Sequence, residues 1–404
     1  MYPVSLVYKD KIKELNRVFD IKITINHSTG TLELTDEDIV EGSVLHSHQS
    51  QNGDEFACGG ASGATLDFTI IRKPEYEGLD FEGAKVTAEI GLLTSDWDTE
   101  FEVFLNPNTP AYYDVKIEYV PLGSFNIDEV TKLTNTLEIK CMDNMINLDE
   151  PYSKSTLTFP ATLYQIYNEI CSFGDMTAIT TSFPNDSYSV PEKPTGDFTY
   201  RDMLMWVAEL SGTFAVVNRY NQLELKWYES SPVESYDGNN RYDYKVTEYG
   251  VEITGVQYET DDTIYLAGTD YYVLDLSNNQ LLQGNYATVL NNILSNVSGI
   301  SFQPYETNWQ GNPALEVGDL VTHTATDGNI YTQPITHLKY KYRGKSTMSG
   351  RGKSVKEKGY KGSTDKRLEI IKKQIEDKVG NQITDLEQAI VDATDLITTE
   401  LGGY

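Results

Sequence analysis

The chain has 404 residues, 39% of them apolar and 11% aromatic, enough for two or three packed domains, which excludes a disordered chain. Its formal charge of −29 argues against nucleic-acid binding, because such a field repels a polyanion. Three scattered cysteines, Cys58, Cys141 and Cys171, fit neither a disulfide framework nor a zinc site and read as buried free thiols.

The first twenty residues mix charged and apolar side chains and hold no signal-peptide core. No apolar run approaches the roughly 20 residues of a membrane span, so a soluble chain made in the cytosol is expected. The 28 tyrosines favour β structure. From there to residue 150 the pattern alternates with period two. Residues 21–34 predict a hairpin across Ser28-Thr29-Gly30. Residues 64–71, 85–93, 100–105 and 112–125 predict further strands, and 135–149 closes the region. Many short strands between polar turns predict a barrel or sandwich.

Residues 156–228 change character. Leu163, Ile166, Tyr167 and Ile170 form a helical stripe. A second helix is predicted over 198–212, with Thr199 as N-cap, Asp202 completing an approximate capping box and Gly212 at the C-terminal stop. A hairpin over 214–228, turning at 219–221, completes a small α+β unit. Strands return over 229–343, interrupted by a helix at 285–297 with Val289, Ile293 and Val297 on one face. Residues 344–364, rich in Gly, Ser and Lys, predict an extended connector.

A last amphipathic helix is predicted over 365–404. Its apolar positions are Leu368, Ile371, Ile375, Val379, Ile383, Leu386, Ile390, Ala393, Ile397 and Leu401. Their mean spacing is about 3.67 residues, the period of an 11-residue repeat, which predicts a straight or weakly right-handed bundle. Such a helix is marginal alone, and its Ile-rich stripe favours three or more strands over two. The ten positions are therefore the expected interface of a homotrimer.

Charge is unevenly spread. Residues 1–338 carry 18 Lys and Arg against 51 Asp and Glu, whereas residues 339–378 carry 14 against 5. No Lys or Arg occurs from 247 to 338. The basic stretch is expected either to neutralise acidic neighbours or to contact a partner.

Motifs that carry chemistry are scarce. His46 and His48 share one strand face, half of a zinc site without a third ligand at a suitable spacing. The Gly-rich stretch 58–65 precedes a strand, so it lacks the helix N-terminus that holds a phosphate. The acidic loops 95–100 and 259–263 lack the EF-hand pattern. Trp97 and Trp309 fit sugar contact, a protein interface or burial. No catalytic, cofactor-binding or metal residue is predicted, and no cofactor.

One resemblance runs along the chain. Pro121, Leu122, Gly123 and Phe125 lie on a strand, followed by Asp143 and Met145 after Cys141-Met142. Before them stands FACGGASGATLDFTI (56–70), and after them TYRDMLMWVAELSGTFAVVNRYNQLEL (199–225) and NPALEVGDLV (312–321). In this order, over about 1–345, they resemble the tail-tip hub, or tail-associated lysin, of siphophages of Gram-positive hosts. That family is similar to the hubs of contractile tails, R-type bacteriocins and type VI secretion spikes. The resemblance implies a mainly β chain with two β-barrel domains, 1–155 and 229–343, around the α+β domain 156–228. It implies a three-chain ring joining the tail tube or distal tail protein to tip fibres or receptor-binding proteins, with the tape measure protein as a further partner. DNA would pass through the ring without binding. Location in the virion tail tip after assembly in the host cytoplasm follows. No lytic domain is visible before Tyr404, so no enzymatic activity is carried over. The alternatives are a cell-wall carbohydrate adhesin and a peptidoglycan hydrolase.

Overall fold

The computed structural model describes residues 1–76, 78–95 and 116–354. The expected strand 100–105, Trp97, the connector beyond 354 and the terminal helix lie outside the described residues.

The fold is mainly β, as expected. An N-terminal arm opens it with a helix that the alternating sequence did not reveal, α1 (Leu6–Lys11), capped by the Ser5 side chain accepting from the Tyr8 amide. The first half then builds β1 (Phe19–His27), β2 (Gly30–Leu34), β3 (Leu45–Gln49), β4 (Thr65–Ile71), β5 (Lys85–Leu93), β6 (Ile117–Lys132) and β7 (Thr136–Met142). β1 and β2 pair through His27 opposite Gly30, which puts Ser28-Thr29 in a two-residue turn.

These seven strands belong to one eleven-stranded sheet, ordered β2, β1, β5, β6, β7, β4, β3 and then His337–Lys341, Ser346–Gly350, Tyr305–Trp309 and Lys245–Val246. The late strand His337–Lys341 lies antiparallel to β3, with Leu338 opposite His48 and Tyr340 opposite His46. It feeds two cores. Leu338 joins the core of the α+β and later regions, whereas Tyr340 and Tyr342 join the core of the first half.

Residues 344–364 require a correction. Ser346–Gly350 is a strand and not a connector, paired with Tyr305–Trp309 and with His337–Lys341. Met348 is buried. The small residues are there because space is short: a Cβ on Gly350 would stand 2.6 Å from the Pro334 carbonyl oxygen and 2.7 Å from the Tyr305 ring. A Gly/Ser-rich composition thus reflects close packing here, and not a solvated linker. The strand Ile330–Pro334, between Leu320–Thr324 and the loop to His337, was also not foreseen.

The α+β unit follows its sequence closely. α2 (Leu163–Phe173) starts with a full capping box between Thr162 and Gln165, and α3 (Tyr200–Leu210) with one between Thr199 and Asp202. Gly212 takes a left-handed φ of +64° just beyond α3, the conformation that ends helices. The hairpin Phe214–Val217 and Gln222–Lys226 follows. α4 (Tyr286–Val297) buries Val289, Ile293 and Val297 against the sheet Gly255–Glu259, Ile264–Gly268, Val273–Asp275. All three cysteines are buried and none is in a disulfide. Trp309 is buried edge-on against Tyr236, which removes it as a surface sugar contact.

Candidate functional site

The four stretches that carry the resemblance converge on one seam, where the first sheet meets the α+β hairpin and the loop before Leu320. Each motif residue has a local reason.

β6 pairs with β5 through a bulge. Glu89 faces Pro121 and Ala88 faces Gly123, so Leu122 is the extra residue and points into the core. Pro121 needs no ladder amide beside a bulge, and Gly123 takes φ +144°, a region favouring glycine. At the end of β7, the Asp143 carboxylate accepts from the amides of Ala64 (2.7 Å) and Met145 (3.0 Å). It thereby ties the start of β4 to the 3₁₀ turn Asn144–Asp149. The Gly-rich approach to β4 packs backbone on backbone. Gly59 N donates to Thr213 O, and Ala215 N donates to Gly60 O, both at 2.7 Å. A Cβ on Gly60 would stand 2.1 Å from the Ser50 carbonyl oxygen.

Arg219 sits at the centre. It lies in the turn of the 214–226 hairpin, with its side chain 7% exposed. Its Nε donates to Glu316 Oε1 at 2.7 Å. One terminal nitrogen donates to the Pro121 carbonyl, and the other to those of Pro313 (2.9 Å) and Leu315 (3.0 Å). One guanidinium therefore holds the β6 bulge, the hairpin and the 312–319 loop together, in the fork geometry only Arg supplies. The loop is braced further by Asp319, which accepts from the Glu316 amide at 2.8 Å and pairs with the Met1 ammonium. Burial pushes the Glu316 carboxyl up, but Arg219, Lys226 and the N-terminal ammonium outweigh it and hold the group below its ordinary value. For Asp319 burial wins, and its carboxyl is raised.

Beside this clamp lies a partly open cavity of about 40 Å³ lined by His46, His48, Asp143, Arg219, Lys226 and Glu316 among others, room for about two or three waters. The Nε2 atoms of both histidines have no protein hydrogen-bond partner. Burial, assisted by neighbouring positive groups, holds His46 at about 3 and His48 at about 4, so both are neutral at pH 7. Burial also raises Asp143 to about 7. The histidine pair meets no third ligand: Asp143 is engaged by two amides and Glu316 by Arg219. Among the described residues no three His, Cys, Asp or Glu side chains gather to hold a metal.

The basic stretch resolves in part. Within its described portion, Arg343 pairs with Asp36 (2.7 Å), Lys345 with Asp243 (3.8 Å), Arg351 with Asp54 (3.0 Å) and Lys353 with Glu55 (3.5 Å). These cations are paired with acids of their own chain. The expected trimer-interface positions Leu368, Ile371, Ile375, Val379, Ile383, Leu386, Ile390, Ala393, Ile397 and Leu401 all lie outside the described residues. Arg219 is the residue that sequence reasoning missed. The only local signal was a cation in a hairpin turn of a strongly acidic region.

No protein-family model matches the sequence, and no curated protein matches it. Solved structures do. A tail protein from Neisseria meningitidis MC58 is 10% identical, with a TM-score of 0.51, over 83% of this chain and 97% of that one. The 43 kDa tail protein of prophage MuSo2 from Shewanella oneidensis is 12% identical (TM-score 0.49, 82% and 96% covered). A prophage tail protein from Listeria monocytogenes EGD-e is 11% identical (TM-score 0.47, 87% and 99% covered). At these identities the likeness to the Neisseria protein is one of fold: this chain shares the fold of that tail protein along nearly the whole of its length.

Proposed function

We propose that this chain is a structural component of a phage tail or phage-tail-like particle, the hub of its tip or baseplate. The observation that carries the reading is the fold shared with the Neisseria tail protein. The seam supports it, because the residues of the hub-like motifs fall together around Arg219 and do positioning work there. The role is mechanical and not catalytic.

In this reading the strands of 1–155 and 229–343 are two barrel-like halves spaced by the α+β unit 156–228. Three copies form a ring that joins the tail tube or distal tail protein to the tip fibre or receptor-binding proteins in the virion. The acidic residues of 1–338 line a channel through which DNA slides without adhering. The helix 365–404 bundles with its two counterparts.

Light scattering with negative-stain imaging of the purified chain tests this: a mass of three chains and a threefold ring with a stalk are expected. A compact monomer at all concentrations overturns the hub. Ile383→Asp with Ile390→Asp separates the two assembly devices. Monomers mean that the helix holds the ring, and a persisting ring means that the folded body assembles by itself.

A further inference from the structure

The loop after β3 carries Asn52-Gly53, the one Asn-Gly pair in the sequence; every other asparagine is followed by a residue with a side chain. Both residues are exposed. An asparagine can react with the amide that follows it, because attack of that nitrogen on the side-chain carbonyl closes a five-membered ring. This chemistry makes asparagine thermolabile. A fold can suppress it by tying up the reacting groups.

Here the nucleophile is free. Among the described residues the Gly53 amide donates no hydrogen bond, and a Cβ on Gly53 would meet nothing within 4 Å. The electrophile is polarised. Asn52 Oδ1 accepts from the Ser62 hydroxyl at 3.0 Å and from the Ala61 amide at 3.4 Å. Ser62 Oγ itself accepts from Gln49 Nε2, which leaves its proton for Asn52. Donors on a carbonyl oxygen stabilise the negative charge that grows there as a nucleophile adds, as in an oxyanion hole. The leaving group is lightly held: Asn52 Nδ2 donates to the Met205 sulfur at 3.3 Å, a weak acceptor. The pairs Asp237-Gly238 and Asp327-Gly328 differ. Their carboxylates are poor electrophiles, and each accepts from an amide two residues on, that of Asn239 (2.8 Å) or Asn329 (3.0 Å).

We infer that Asn52 is a site of spontaneous deamidation through a succinimide. The Gly53 nitrogen bonds to Asn52 Cγ and its proton passes to the departing group. The Cγ–Nδ2 bond then breaks and ammonia leaves. Water opens the ring. Cleavage of the Cγ–N bond gives aspartate. Cleavage of the other C–N bond gives isoaspartate, whose backbone runs through the former side chain and is one methylene longer. Water is the sole co-reactant. Either product adds a carboxylate beside Asp54 and Glu55, the acids that pair with Arg351 (3.0 Å) and Lys353 (3.5 Å). The change therefore falls where the last described residues of the chain are fastened to the loop after β3.

Peptide mapping by mass spectrometry tests this on the folded full chain, stored at pH 6 and at pH 8, with isoaspartyl methyltransferase labelling to count isoaspartate. Conversion at position 52 about tenfold or more above that at any other asparagine is expected, and faster at pH 8, because base frees the Gly53 nitrogen. Gly53→Val, at a site with room for the side chain, should keep the circular dichroism and slow the conversion about tenfold or more. Asn52 intact in the folded chain, whether or not the urea-unfolded chain converts, overturns the inference. Conversion unaffected by Gly53→Val, or equal at other asparagines, overturns it too.

Discussion

Replacing Arg219 by Met should cost about 3 kcal/mol of stability. The substitution keeps much of the aliphatic stem and removes every donor. Glu316 then loses its closest cation, and the carbonyls of Pro121, Pro313 and Leu315 lose theirs. Deleting one partner of a fully buried ion pair costs about 3–5 kcal/mol, and a hydrogen bond to a charged group contributes about 1.5–3 kcal/mol. The sum is discounted because Glu316 is 28% exposed and keeps the Met1 ammonium at 3.6 Å. About 3 kcal/mol is the remainder after solvent screening of the pair. Arg219→Lys retains the charge but not the fork, and should lose about half as much. Urea unfolding followed by tryptophan fluorescence and circular dichroism measures both, with coincident transitions required before a free energy is extracted. A Met variant within about 0.5 kcal/mol of the parent, the range of ordinary surface substitutions, would refute the clamp.

Gly60→Ala should destabilise by more than about 2 kcal/mol, because its Cβ would overlap the Ser50 carbonyl oxygen, which is backbone and cannot rotate away; thermal unfolding reads this. The buried histidines make the fold acid-sensitive. His46 and His48, at about 3 and 4, stay neutral when folded. The unfolded chain takes up protons below about 6.5, so stability falls with pH from there towards 4, by up to about 1.4 kcal/mol per pH unit for each group. His46→Leu should flatten that slope in urea titrations at several pH values. Asp143 acts in the opposite sense. Its folded value of about 7 lies above the unfolded one, so its contribution is present below about 4 and is lost as pH rises towards 7. Asp143→Asn should therefore cost more stability at pH 4 than at pH 8, and an equal cost at both would refute this assignment.

The parts of the fold legible in the sequence are those decided locally. Thr199, Asp202 and Gly212 bound α3 as their spacing dictates. Val289, Ile293 and Val297 mark the buried face of α4. The alternation in β1 and β5 gives their strands almost to the residue. What the sequence concealed is set by partners far along the chain. Ser346–Gly350 has the composition of a linker, and only its fit against Tyr305 and Pro334 makes it a strand. Arg219 looks like a turn residue, because the three carbonyls and the carboxylate it binds lie about a hundred residues away on either side. The motif residues 121–125, 143–145 and 312–319 were visible as motifs before their common reason, a single seam, was visible at all.

The pairing of β3 with His337–Lys341 also sets an order of events. When the first seven strands have left the ribosome, β3 still presents an unpaired edge, and its mate is nearly three hundred residues away. Contacts of such separation form late and slowly, and an open strand edge is a template for other chains. Nascent chains on one polysome, each carrying the same waiting edge, are thus the most hazardous neighbours this protein meets. The arrival of Leu338 and Tyr340 beside β3 is the step that ends its exposure.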